Sequence, residues 1–199
     1  MAFTMRGSSS KTERPGWPWR VWLVAAVLLL GACSAENQNQ RFEIRDLRAD
    51  WASGRMDVHL QQRLELGPEA REALLHGVPL TLGVEVVLRD ARTQTRLKKQ
   101  RNLYEIRYLP LSEHYQLTRN ETGESQTFPR LRHALAELGE LRLSVETGVL
   151  PEGEYELLAR SFLDKRRVPP PMRLPVLFSP RWNHESAWTK WPLDIGREV

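Results

Sequence analysis

Ser112, Glu113 and His114 supply a nucleophile, an acid and a base in consecutive positions. Acyl transfer needs such groups on one side of a cleft. Neighbours on a strand point to opposite faces, so these three cannot form a triad by themselves. No Gly-x-Ser-x-Gly turn offers a second nucleophile. The remaining histidines, His59, His76, His133 and His184, are dispersed. None pairs at ligand spacing on an expected helix, and no His-Glu-x-x-His occurs. The 12 glycines are scattered and build no phosphate-cradling loop. The sequence therefore assigns no catalytic residue, no metal ligand and no cofactor, and it reads as a non-enzymatic protein.

Cys33, the sole cysteine, is the one residue whose setting implies a covalent event. Arg14 and Arg20 precede the apolar run Val21–Leu30, which ends in Leu30-Gly31-Ala32-Cys33. Ten residues of helix cover about 15 Å, half a bilayer core. That length suits the h-region of a secretory signal. The four residues resemble a bacterial lipobox, which implies cleavage before Cys33 and lipidation of its thiol. Ser34 after the cysteine, by the same resemblance, favours the outer membrane. An uncleaved inner-membrane anchor is the alternative, since Trp17 and Trp19 lengthen the region before the run. A body without cysteine suits an oxidising compartment. The expected organisation is a lipoprotein-type signal over 1–32, a polar tether over 33–40 and one domain over 41–195.

The chain carries 29 basic and 25 acidic residues, a net charge of +4. Arg6, Lys11, Arg14 and Arg20 against Glu13 put +3 of this before Cys33, leaving +1 on the remainder. A near-neutral domain lacks the footprint of a nucleic-acid binder. Its partners are expected to be the membrane, through the lipid, and an envelope protein.

The body reads mainly as strands. Met56, Val58, Leu60, Gln62 and Leu64 alternate with Asp57, His59, Gln61 and Arg63. Leu80–Leu88 alternates likewise, with Thr81, Glu85 and Arg89 opposite, and so does Leu141–Val145. The phase slips near Asp46 and between Leu97 and Tyr104, as a bulge would cause. The turns at Ala52–Gly54, Asp90–Arg92 and Asn120–Gly123 are too short for parallel crossovers. Two short helices are expected: from Pro68 to His76, closed by Gly77, and from Pro129 to Leu138. Val168–Pro171 is expected to be extended and stiff. Beyond it, Trp182, Trp188 and Trp191 predict a tail packed back on the body as a last edge strand, where Pro192 is tolerated. Leu150–Leu157 resembles the turn and tyrosine that enter a late strand of immunoglobulin-like sandwiches. The fold class is mainly β: an antiparallel immunoglobulin-like β-sandwich with two short helices.

The binding candidates lie on these elements. Arg107 is either a structural cation paired with Glu105 or Glu113, or a contact for an anionic ligand. Tyr108, Tyr115, Trp188 and Trp191 are candidate ligand or partner contacts. Lys98-Lys99-Gln100-Arg101 and Lys165-Arg166-Arg167 read as a charged edge that blunts aggregation, or as a surface for an anionic partner.

The stretch Tyr104-Glu105-Ile106-Arg107-Tyr108-Leu109-Pro110-Leu111-Ser112-Glu113-His114-Tyr115-Gln116-Leu117 resembles a proteobacterial exported family catalogued as domain of unknown function 4390. Its pattern is an Arg-Tyr pair, a short apolar stretch, a Ser and Tyr-x-Leu. A short helix like Pro129–Leu138, a Leu-Pro-x-Gly-x-Tyr segment and a Trp-bearing end like Trp182–Leu193 follow. The resemblance spans about Arg41–Leu193. It implies export, no assigned activity, and genes that often neighbour a membrane sensor histidine kinase. Many members carry a plain signal peptide, so the lipobox is a departure. The sequence thus predicts a periplasm-facing lipoprotein that acts as a protein-interaction module linked to such a sensor. The alternative is an envelope lipid or glycan binder with a groove between its sheets.

Overall fold

A computed structural model describes residues 41–196. The expected signal, Cys33 and the expected tether lie outside the described residues. The chain forms β1 (Phe42–Ala52), β2 (Arg55–Leu64), α1 (Pro68–Leu75), β3 (Leu80–Asp90), β4 (Arg96–Leu109), β5 (His114–Arg119) and β6 (Ser125–Phe128). There follow α2 (Leu131–Glu137), β7 (Glu140–Glu146), β8 (Gly153–Leu163), α3 (Pro170–Phe178) and β9 (Thr189–Ile195). One sheet has the order β1-β2-β7 and the other β6-β5-β4-β3-β8-β9. All pairings are antiparallel. The two first strands and β7 on one sheet, with β3, β8 and β9 on the other, make the antiparallel sandwich expected from the sequence.

Alternation decides what enters the core. In β2, every second residue from Met56 to Leu64 is buried and its neighbours are exposed. These side chains pack with Leu82, Val84 and Val86 of β3 and with Leu157 of β8. A leucine removed from water in this way contributes about 1.5–3 kcal/mol. The bulge expected near Asp46 falls between Ile44 and Asp46. The slip in β4 is a bulge at Leu97, since Leu88 pairs with Lys98 and Arg89 with Arg96.

The corner before β8 is fixed by Tyr155, whose hydroxyl donates to the Pro151 carbonyl at 2.7 Å. Immunoglobulin-like sandwiches use a tyrosine at this corner in the same way. Helix α1 starts at Pro68, where a missing N–H costs nothing. It ends in a paired closure: Gly77 N–H bonds the Leu74 carbonyl and Val78 N–H bonds Ala73. Gly77 takes φ +83° there, a conformation that favours glycine.

Two expectations need correction. Among the described residues there are three α-helices, not two, because Pro170–Phe178 is helical rather than part of an extended proline run. Proline fits the first turn of a helix, where its missing N–H has no partner to lose, so Pro169 stays extended while Pro170 and Pro171 open α3. Strand β3 is also not half-polar. Thr81, Gly83 and Glu85 are as buried as Leu82 and Val84 between them. It is a central strand, flanked by β4 and β8, and long side chains of both neighbours cover its outer face. The tail does return as an edge strand: β9 pairs along β8, and Pro192 lies opposite Glu156 on that outermost strand.

Candidate functional site

The outer face of the six-stranded sheet carries a cluster of charges and aromatic rings. It is built by register. Glu85 of β3 stands between Arg101 of β4 and Arg160 of β8. Its side chain is only 3% exposed. Lys99 Nζ reaches one carboxylate oxygen at 2.6 Å. Arg101 Nε donates to the other at 2.7 Å, and Arg160 Nη2 stands 3.5 Å from it. Burial alone would raise the Glu85 pKa. The bonds from Lys99 and Arg101 and the charges of Arg101 and Arg160 outweigh that, so it lies below the ordinary carboxylate value.

The cations are in turn stacked. The Arg101 and Arg160 guanidinium carbons lie 5.5 and 5.8 Å from the Phe162 ring centre. Arg160 also lies 4.7 Å from the Trp188 ring centre and bonds Glu185 at 2.5 Å. Phe162 sits opposite Gly83, whose missing side chain admits the ring. Three cations thus meet one buried acid, with Trp188 half exposed beside them. Such a surface offers rigid cations to an acidic partner and an aromatic face for packing.

The sequence candidates do not converge on one place. Arg107 is half exposed and pairs with Glu105 at 2.9 Å, so it is a surface ion pair and not a buried cation. Tyr108 and Tyr115 face each other across β4 and β5, with ring centres 5.1 Å apart. Both pack against the core. Trp191 also packs against the core, opposite Leu157. Trp188 alone belongs to the basic-aromatic face. Of the basic clusters, Lys99 and Arg101 join it. Their half of β4 lies beyond the reach of β5, which pairs only from Tyr104 to Leu109. Lys165–Arg167 forms a single 3-10 turn.

Glu85 was the residue that sequence reasoning missed. Its signal was a lone acid within the almost continuous apolar run Leu80–Leu88, the pattern of a strand buried on both faces. Nothing local links it to Arg160.

His184 is a second buried polar node. It is 2% exposed, and Nε2 accepts the Gly67 N–H at 2.8 Å. The Arg41 guanidinium lies 3.2 Å from the same nitrogen. Burial lowers its pKa, the Trp182 backbone opposes this, and Arg41 adds to the lowering. The imidazole is therefore a neutral clamp between β1, α1 and the tail. His114 Nδ1 lies against the Ser112 carbonyl, and Glu113 takes φ +55° in the turn before it. Among the described residues, no three His, Cys, Asp or Glu side chains gather as a metal-holding set. None of the described helices is long and apolar enough to cross a membrane.

A polar groove of about 770 Å³ runs over the outer face of β1, β2 and β7 toward the β5–β6 hairpin. Arg48, Asp50, His59, Arg119, Glu124 and Arg142 contribute to its lining. Between the sheets, the space at Phe42, Gln62, Tyr104 and Ser161 is about 10 Å³, at most one water.

Residues 39–192 match the family model described as Domain of unknown function (DUF4390). No curated protein matches the chain, and no solved structure does.

Proposed function

The chain belongs to the family described as Domain of unknown function (DUF4390), and from that premise we propose that it is a non-enzymatic, cell-envelope interaction module tethered by lipid at Cys33. The observation that carries this reading is the basic-aromatic face around Glu85. Arginine and tryptophan dominate binding energy at protein interfaces when they are held rigid at a surface. Here Arg101, Arg160 and Trp188 are held by one buried carboxylate and one another. Cations outnumber acids at this face, so the expected partner surface is acidic. A membrane sensor kinase is the first partner to examine. The space between the sheets at Gln62 and Ser161 is too small for a lipid chain; the glycan form of the alternative would use the open polar groove over β1, β2 and β7 instead.

The experiment is in-cell cross-linking of the tagged full-length chain, read by mass spectrometry. Trp188→Ala with Arg101→Glu tests the face, and Cys33→Ala tests the anchor. One dominant membrane partner, lost in both variants, supports the reading. The same partner retained in the Trp188/Arg101 variant moves the interface elsewhere. No partner, with a lipid or glycan in the purified protein, overturns it in favour of the carrier.

A further inference from the structure

Helix α3 is apolar on both of its sides. Val176 is 1% exposed, and Met172, one turn before it, packs against the core. Opposite them, Leu174 is 66% and Phe178 82% exposed, and Leu177 stands beside Phe178 at the surface. A helix that is hydrophobic all round belongs in a core or a bilayer, not in water. This one has half of each condition: one side seated on the domain, the other open.

The strand directions show where this helix sits. Strand β3 runs from Leu80, with the Thr81 carbonyl taking the Asp164 N–H, to the turn at Asp90. Eleven residues of strand cover about 33 Å, so the two ends of β3 are far apart. Asp164, α3 and the β4–β5 turn all lie at the Leu80 end. Leu111, fully exposed in that turn, shares this end with the three exposed residues of α3. Arg41, the first described residue, is there too, with Nη1 3.2 Å from His184 Nε2. Arg166, Arg167 and Arg173 are exposed around the same helix.

We propose that the exposed side of α3, from Leu174 to Phe178, docks on the headgroup region of an anionic bilayer. The chemistry fits an interfacial helix: apolar residues to enter the acyl boundary, arginines beside them to meet phosphate. The tether agrees in reach. Eight residues follow Cys33 up to Arg41, at most about 28 Å of chain. An anchor at Cys33 therefore holds this end, and not the Asp90 end, near the membrane. The docking sets the orientation of the domain and directs the Asp90 end away from the bilayer. It goes beyond the interaction reading and uses different residues, so either can fail alone.

The test uses the full-length chain with Cys33→Ala and one new cysteine at a time: Leu174→Cys, Phe178→Cys or, at the far end, Arg92→Cys. Each is labelled with a polarity-sensitive fluorophore and mixed with phosphatidylcholine vesicles, with or without phosphatidylglycerol. Nitroxide-labelled lipid serves as the quencher. The expected result is a blue shift and quenching at 174 and 178, and neither at 92, on the anionic vesicles. Adding Arg173→Gln should weaken that signal about fivefold, the worth of one surface arginine near anionic lipid. Equal quenching at all three sites would overturn the proposal, because the leader would then hold the domain without orientation. So would a blue shift at 174 and 178 that grows with protein concentration and needs no vesicles, which would make a second copy the occupant. Exposure at all three sites overturns it as well.

Discussion

The phenyl ring of Phe162 lies on the backbone of Gly83, so close that a β-carbon at position 83 would stand 2.4 Å from its Cζ atom. The two residues are paired across β3 and β8. A ring laid over a cross-strand glycine covers backbone that the glycine leaves bare. The ring then supports the guanidinium groups of Arg101 and Arg160, which converge on Glu85. The basic-aromatic face thus depends on a missing side chain.

Gly83→Ala should displace the ring and cost about 1–3 kcal/mol, the usual range for overpacking. Urea unfolding measures the loss. Phe162→Ala in the same chain should remove most of the penalty, so the double variant is strongly non-additive. Additive losses would show that the ring does not occupy this seat.

Glu85→Gln should cost about 1–3 kcal/mol at neutral pH, because it leaves Lys99, Arg101 and Arg160 without their shared anion. The cations are partly exposed, and water limits the penalty. The pH sign follows from the lowered Glu85 pKa. The native state holds the carboxylate ionised, so the stabilisation is complete above its ordinary value of 4.5 and is lost as pH falls through the lower folded value. Wild type and variant should converge in acid. A constant difference down to the acid limit would contradict the ionised assignment.

His184 works in the other direction. Its folded pKa is depressed, so the unfolded chain takes up a proton before the native one does. Stability should be constant above the ordinary imidazole value of 6.5 and decline as pH falls below it. Protonation would take the acceptor from the Gly67 N–H and place a cation beside Arg41. Unfolding midpoints between neutral and mildly acidic pH check this, with His184→Gln as the reference. The variant should lose the slope; an unchanged slope would assign it to other groups.

Tyr155→Phe removes the hydroxyl bond to Pro151 and little else. About 1 kcal/mol should be lost, since the Pro151 carbonyl then has only solvent or nothing as a partner. Thermal melting of the two proteins side by side gives the value. An unchanged midpoint would mean that the corner is held by packing alone.

The vesicle experiment on α3 and the cross-linking experiment on the sheet face address opposite requirements of the same chain. One asks how the domain is oriented, the other what it meets.

Much of the fold was legible because alternation and turn chemistry are local. Met56 to Leu64 named their own buried face, and Gly77 and Pro68 marked the ends of α1. Tyr155 was recognisable from its turn, and the tryptophans showed that the tail returns. Pro170 was misread because proline is compatible with both an extended run and a first helical turn. Only packing of Met172 and Val176 on the domain chose between them.

The sequence by itself determined the strands, their antiparallel pairing, the family and the charge excess ahead of Cys33, each carried by residues within one short stretch. Tertiary structure alone decided the candidate site. Glu85 and Arg160 are seventy-five positions apart, and only the pairing of β3 with β8 makes them neighbours. Tertiary structure also separated Arg107, Tyr108, Trp188 and Trp191, because a strand's two faces send adjacent residues to different surroundings. A carboxylate in an apolar run reads as a solvent-facing residue until the cations that bury it are brought in from other strands.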